Sequence, residues 1–260
     1  MKYMITGAER RGESPNADEI NRRVRYHQQK LDELLRARVR AGKAGLVFVS
    51  VGLGRETVTV KNRRGDHLRI DGPFPETKEL VGGFDIIDFD SLEEAVAFPF
   101  AKYEGAHQSL VSEVRPIREF WWISQARGQA ASKIFMLTSV EDERAVLSLP
   151  EKERTQIMRQ HQGVGAEYVT SRAMLDQEPG LWVGARLQVS SHAKTIRWNN
   201  GARQVMDGPF AETKEVAGGF NIVACASIDE AITWADKLAA RDGDAIEVRP
   251  VEGCWWVYHE

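Results

Sequence analysis

DGPFPETKELVGGFDI, running from Asp71 to Ile86, returns as DGPFAETKEVAGGFNI from Asp207 to Ile222, with twelve of the sixteen residues unchanged at an offset of 136. The differences are Pro75/Ala211, Leu80/Val216, Val81/Ala217 and Asp85/Asn221. A repeat of this length means the chain has to be read as two copies of one unit before any element is assigned. Further matches fall in the same order on both sides. KYMIT, ending at Thr6, answers KIFMLT, ending at Thr138; Glu113-Val114-Arg115-Pro116 answers Glu247-Val248-Arg249-Pro250; Trp121-Trp122 answers Trp255-Trp256. The offsets stay between 132 and 136, so the copies differ by short insertions or deletions. SQARGQAAS, Ser124 to Ser132, has the small, polar composition of a linker, which places one copy at 1–123, the other at 133–260 and the boundary near residue 128.

Each copy reads as strand, helix, two strands, helix, strand. The first strand spans Lys2 to Gly7, or Lys133 to Ser139. An amphipathic helix follows from about Ala17 to Ala41, with Ile20, Val24, Leu31, Leu34 and Leu35 on one stripe; the second copy repeats it from about Pro150, with Ile157 and Met158. Strands are expected at Leu46 to Val51 and at Thr57 to Lys61, where Val58 and Val60 alternate with polar neighbours, and again at Thr195 to Trp198. Arg64-Gly65-Asp66 and Asn200-Gly201 carry the glycine that a tight hairpin needs. Phe84 to Phe89 and Phe220 to Cys225 form a fourth strand. The next helix opens at Ser91-Leu92-Glu93-Glu94 and Ser227-Ile228-Asp229-Glu230, each a capping box in which serine and glutamate satisfy first-turn N–H groups reciprocally. Pro99, where the second copy has Ala235, predicts a kinked or shortened helix. The order βαββαβ gives an antiparallel sheet with both helices on one face. The class is therefore α+β, two tandem ferredoxin-like domains. The bare sheet face needs a cover, and a duplicated chain supplies one in cis, so the halves are expected to pack as an intramolecular pseudo-dimer.

With 42% hydrophobic and 28% charged residues, the 260-residue chain has ordinary globular composition. Its net charge of −3 and pI near 6.1 offer no bulk attraction to nucleic acid or anionic membrane. The arginines of the first helix, Arg22, Arg23, Arg25, Arg36, Arg38 and Arg40, are interrupted by Asp32 and Glu33 and read as a solvated face. No apolar run approaches the ~20 residues of a spanning helix. A cytoplasmic location is the expectation. Cys225 and Cys254 stand outside any CxxC or Cys/His spacing, so neither a disulfide framework nor a metal site is expected. Rossmann, P-loop, HExxH and GxSxG patterns are missing, which disfavours nucleotide-dependent, zinc and serine-hydrolase chemistry.

The strings DGPFPETKE and DGPFAETKE, the Gly-Gly-Phe after them and the later Glu-Val-Arg-Pro resemble the DGPF branch of the YCII-related family, over nearly the whole chain and twice. The resemblance implies a ferredoxin-like domain that pairs into a dimeric α+β barrel. It also implies a histidine and an aspartate suspected of catalysis in a cleft, and a gene neighbourhood shared with extracytoplasmic-function sigma factors.

Among individual residues, His27 lies three after Val24 and four before Leu31, on the stripe that should face the sheet, and His161 lies three after Met158 in the other copy. Each is either a core histidine bonded to backbone or an acid–base group. Asp71 and Asp207 end a strand before Gly-Pro, where aspartate caps a turn or, beside an imidazole, orients it and favours its charged form. Thr77, Lys78, Thr213 and Lys214 lie in the repeated ETKE, either solvated or placed to bind an anionic group. The paired tryptophans are expected between the halves or between chains, not on a ligand.

The leading hypothesis is a cofactor-independent enzyme of lyase or isomerase type, with His27/Asp71 and His161/Asp207 as acid–base pairs acting on a small anionic or carbonyl-bearing molecule. The alternative is a non-catalytic module that binds a ligand or docks a regulatory protein such as a sigma factor. A third option keeps one copy active and the other as scaffold, because the second copy's first helix diverges around Gly163-Val164-Gly165. Further homodimerisation is left open.

Overall fold

The computed structural model describes residues 1–10, 25–26, 29, 32–33, 36–38, 40–42, 47–54, 56–72, 79–102, 109–124, 133–174, 180–199, 202–209, 215–241 and 244–258. In the first half these form strands β1 (Lys2–Arg10), β2 (Val47–Leu53), β3 (Val58–Arg63), β4 (Asp66–Asp71), β5 (Glu79–Asp88) and β6 (Ser109–Ser124), with helix α1 (Leu92–Lys102) between the last two. The described residues between 25 and 40 are also helical. In the second half β7 (Lys133–Asp142) leads into α2 (Glu143–Ser148) and α3 (Glu151–Met174). Strands β8 (Trp182–Leu187), β9 (Lys194–Asn199), β10 (Ala202–Asp207) and β11 (Glu215–Cys225) follow, then α4 (Ile228–Leu238) and β12 (Ala245–Tyr258).

Antiparallel pairing runs β1-β5-β2-β12-β7-β11-β8-β6, and β6 returns to β1, closing an eight-stranded barrel. Each half contributes four consecutive staves, in the orders β6-β1-β5-β2 and β12-β7-β11-β8. Closure leaves no edge in the barrel itself.

The last strand of each half makes both seams. Val111–Pro116 of β6 pairs with β1 of its own half, whereas Ile117–Ser124 pairs with β8 of the other. Likewise Ala245–Pro250 of β12 pairs with β7, and Val251–Tyr258 with β2. The hairpins swap allegiance in the same way: β3 lies along β12, and β9 along β6. Arg64 (φ 55) and Gly65 (φ 90) supply the two positive φ angles of the tight turn between β3 and β4. Strands β4 and β10 are exposed along their whole length.

Alternation along the staves divides the apolar residues between two sides. Met4, Phe84, Ile86, Met136, Phe220 and Ile222 fill the interior of the barrel, and the Phe84 and Phe220 rings meet at 5.1 Å. The intervening residues lie under helices. Tyr3, Ile5, Ile87 and Phe89 are covered by Ala95 and Phe98 of α1 and joined by Ile196 of the opposite half; Leu137, Val223 and Cys225 are covered by α3 and α4 and joined by Val60. Tyr168, Trp182 and Trp234 pack as a trio, with the Tyr168 hydroxyl donating to the Ala224 carbonyl.

Both capping boxes close. The amides of Glu94 and Glu230 donate to Ser91 and Ser227 Oγ, and the two carboxylates accept from the amides of Asp90 and Ala226. Pro99 does not shorten its helix: α1 and α4 both have eleven residues. Its ring is buried in the eighth position, where only the last turn remains to be completed. Gly82-Gly83 and Gly218-Gly219 mark a shift of register in both copies, β1 against β5 and β7 against β11. A Cβ at Gly218 would lie 2.2 Å from Glu141 Cδ, and one at Gly219 would lie 2.5 Å from the Ala185 carbonyl oxygen. Arg38, on the basic face of the first helix, pairs with Glu94, donates to the Asp88 carbonyl and lies over the Phe89 ring at 4.9 Å.

Candidate functional site: a cavity beneath helix α3

Glu-Val-Arg-Pro holds the halves together. Arg115, buried on β6, donates from Nε to the Gln188 carbonyl (2.8 Å), from Nη1 to the Ala217 carbonyl (2.8 Å) and from Nη2 to Glu143 (3.2 Å), all in the second half. Arg249 mirrors it in the first half, donating to the Gly54 and Val81 carbonyls. Burial lowers the Arg115 pKa, and Glu113, Glu143 and Glu141 oppose that shift. Glu143 also accepts from the Ser190 amide (2.6 Å) and hydroxyl (2.5 Å), fixing the loop after β8.

That loop forms one wall of a cavity of about 80 Å³. Ser139, Glu141, Arg186 and Asn221 rise from its sheet floor, and Arg154, Thr155, Ile157, Met158 and His161 descend from α3. Arg118, Glu119 and Trp121 close it from the first half. Ile157, Met158 and His161, read from the sequence as a stripe against the sheet, here cover open space; the same helix meets the core further on, at Val164 and Tyr168. Trp121 lies between the halves, as expected of the paired tryptophans, but it also lines the cavity, whereas the sequence predicts no ligand contact for it. It packs so closely on Gly184 that a Cβ there would fall 2.2 Å from its ring.

His161 is the ionisable centre of the cavity. Burial, above all, lowers its pKa to about 4; Arg186 and Arg241 push the same way, while Asp244 and a hydrogen bond with the Leu238 backbone oppose it. The ring is therefore neutral near pH 7. Glu141 and Arg186 form a two-pronged pair, both contacts at 2.8 Å. Arg241 donates from Nη2 to Asp244 at 2.9 Å. Buried Nε atoms of Arg154 and Arg241 and Nε1 of Trp121 have no hydrogen-bond acceptor among the described residues.

Asp207 is elsewhere. It ends β10, its side chain is 87% exposed, and it forms an ion pair with Lys194; it is not among the residues lining the His161 cavity. The alternation of β10, exposed on both faces, leaves the carboxylate in solvent. Asp71 is exposed at the end of β4 in the same way. The described role of the Asp-Gly pair is to end a hairpin. Gly72 (φ 105) and Gly208 (φ 90) donate their amides to the Thr57 and Ala193 carbonyls, and their own carbonyls accept from Thr59 and Thr195. His27, Thr77, Lys78, Thr213 and Lys214 fall outside the described residues.

A family model for the YCII-related domain matches residues 1–121 and again residues 134–254. This chain belongs to the YCII-related family. An uncharacterized protein of Rhizobium meliloti (strain 1021) is 34% identical to it over 120 residues, 45% of this chain and 91% of the relative. Among solved structures, one described provisionally as a chlorite dismutase aligns at 8% identity and a TM-score of 0.39, covering 97% of this chain and 94% of the other. A heme-binding protein from Thermus thermophilus aligns at 10% identity and 0.37, covering 96% and 90%. Likeness at that level carries no information on ligand or activity. Within the YCII-related repeat the cavity residues are unevenly shared. Glu141 aligns with Glu9 and His161 with His27, but Arg186 aligns with Gly52 and Arg154 with Ile20. Repeat matching singled out His161 and Trp121; it passed over Arg154 and Arg186 because their counterparts differ in kind.

Proposed function

We propose that this YCII-related protein acts on a small molecule by proton transfer, without a cofactor, in the cavity beneath α3, with His161 as the acid–base group. The observation that supports this reading is the position of His161 in the wall of a cavity that it shares with Glu141, Arg154 and Arg186, where burial lowers its pKa and favours the neutral, proton-accepting ring. Asp244 is the carboxylate that favours the imidazolium once a proton is taken. A base whose conjugate acid has a pKa near 4 is weak at pH 7, and negative charge on a bound substrate would draw it upward, toward the useful range. The class is lyase or isomerase. Each half is in this reading a ferredoxin-like unit, supported by its strand order with a hairpin inserted between the second and third staves. His27, Thr77, Lys78, Thr213 and Lys214 enter on the strength of the repeat alone, and Asp71 and Asp207, exposed at the hairpin ends, are not part of the His161 site.

The test is deuterium incorporation from D2O at carbons adjacent to the carbonyl of small keto acids, followed by proton NMR. Exchange accelerated by the protein and lost in His161→Gln is expected. Equal acceleration by the variant would sink the proposal.

A non-catalytic ligand-binding module is the second reading, and one observation favours it: Asp207, the carboxylate matched to His161 by the repeat, is exposed and lies outside the cavity. It predicts saturable binding with no exchange in any compound that binds.

A further inference from the structure

We infer that the ligand of this cavity is a small organic carboxylate, its carboxylate held by Arg154, Arg241 and the indole N–H of Trp121, its apolar body against α3. The inference rests on the cavity being a ligand site, as proposed above, but not on any proton transfer there.

Three buried N–H donors, Arg154 Nε, Arg241 Nε and Trp121 Nε1, lack acceptors among the described residues, and all three residues line one cavity. A buried donor without a partner is costly, and such groups are as a rule satisfied in the working state of a protein. The donors set the chemistry: two are guanidinium Nε–H groups and one an indole N–H, each suited to an anionic oxygen, and none is an acceptor. Arg118 is paired with Glu119, Arg186 with Glu141 and Arg241 with Asp244, whereas Arg154 has no ion pair among the described residues and shares the lining with Glu151. Ile157, Met158, Leu187 and Phe220 supply apolar wall, so the anion is organic rather than inorganic. Because Trp121 comes from the first half, the site is complete only in the tandem chain. The match of Ile20 to Arg154 and Gly52 to Arg186 restricts this chemistry to the second half.

The full-length protein is titrated with malonate, succinate and glutarate, with the corresponding diamides, and with inorganic phosphate, and read by indole N–H signals in nitrogen–proton NMR spectra. Saturable shifts of the Trp121 signal with at least one dicarboxylate are expected, at least tenfold weaker with its diamide and with phosphate. Arg154→Met is expected to weaken that binding at least tenfold, Trp121→Phe severalfold, and Lys194→Met not at all. Spectral dispersion checks that each variant is folded. His161→Gln separates the two proposals: retained carboxylate binding with loss of proton exchange upholds both. Exchange unaffected by that variant defeats only the proton-transfer reading. Failure of every carboxylate to bind, binding of diamides as tight as that of the acids, or binding indifferent to Arg154→Met overturns the present inference; ordered water would then be what satisfies the three donors.

Discussion

The guanidinium of Arg115 donates to the carbonyl of Ala217 at 2.8 Å, and the two residues belong to opposite halves of the barrel. Arg249 and Val81 repeat the bond in the reverse sense at 2.6 Å. Both carbonyls lie next to the bulge glycines, so each arginine reads the place where the other half's sheet bends.

Arg115→Met should therefore destabilise the protein strongly. The methionine keeps most of the packing but removes the donor to two carbonyls and the cation beside Glu143, a loss of about 3–5 kcal/mol by the usual cost of breaking a buried charged group's contacts. Arg249→Met, which loses three hydrogen bonds to carbonyls, should cost ~2–4 kcal/mol. Urea unfolding of the two variants measures both. Lysine at position 115 should recover only part, since it lacks the guanidinium fork.

Gly218→Ala and Gly208→Ala should fail for different reasons. At Gly218 the added methyl meets the Glu141 carboxylate, so the Glu141–Arg186 pair must open and the cavity floor distort; a cost of roughly 1–3 kcal/mol follows from overpacking. At Gly208 nothing lies within 4 Å of the new Cβ, and the cost, ~1–2 kcal/mol, comes from the left-handed backbone alone. Carboxylate binding should fall in the first variant and persist in the second, a contrast that calorimetric titration resolves.

His161 gives the fold a pH dependence of definite sign. Its folded pKa is about 4, against an ordinary value of 6.5. Between those values the unfolded chain holds the proton and the native state does not, so stability is fully present above about pH 6.5 and is lost as pH falls toward 4. The span corresponds to at most ~3 kcal/mol. His161→Gln should be the less pH-sensitive protein across that window. Unfolding of both proteins at pH 7 and pH 4.5 checks it, and a difference in stability that stays constant between those two values would refute the assignment.

A carboxylate bound beside His161 should raise that pKa, because a negative charge favours the imidazolium. By linkage, carboxylate affinity should increase as pH falls from 7 toward 5, with proton uptake on binding. Calorimetry in buffers of different ionisation enthalpy measures the protons taken up. Release instead of uptake would place the anion away from the ring.

Most of the architecture was open to reading from the chain alone, because the repeat is explicit and the period-two alternation in Val58 to Lys61 and the capping boxes at Ser91 and Ser227 are local signals. That the halves pair was expected from the sheet face that the βαββαβ reading leaves bare, and the structure joins them as one closed eight-stranded barrel. The site was legible only in part. His161 stood out because an ionisable ring recurs on an apolar stripe. Which carboxylate stands near it depends on where the loop after α4 places Asp244, a long-range outcome with no periodicity. Arg154 and Arg186 could not be found by matching copies, since Ile20 and Gly52 take their places. Pro99 misled because propensity counts the lost hydrogen bond and not the burial of the ring.

Equivalent positions at the two hairpin seams now hold different chemistry. His67 of β4 bonds Asp236 of α4, whereas its counterpart Arg203 of β10 lies over the ring of Phe100 in α1. In an assembly of two identical chains any substitution at this contact would appear at both seams at once, and a change good for one would be tried in duplicate. Joining the halves in one gene removes that obligation. One seam can hold an imidazole against a carboxylate while the other lays a guanidinium on an aromatic ring, and the tandem barrel can specialise one end without altering the other.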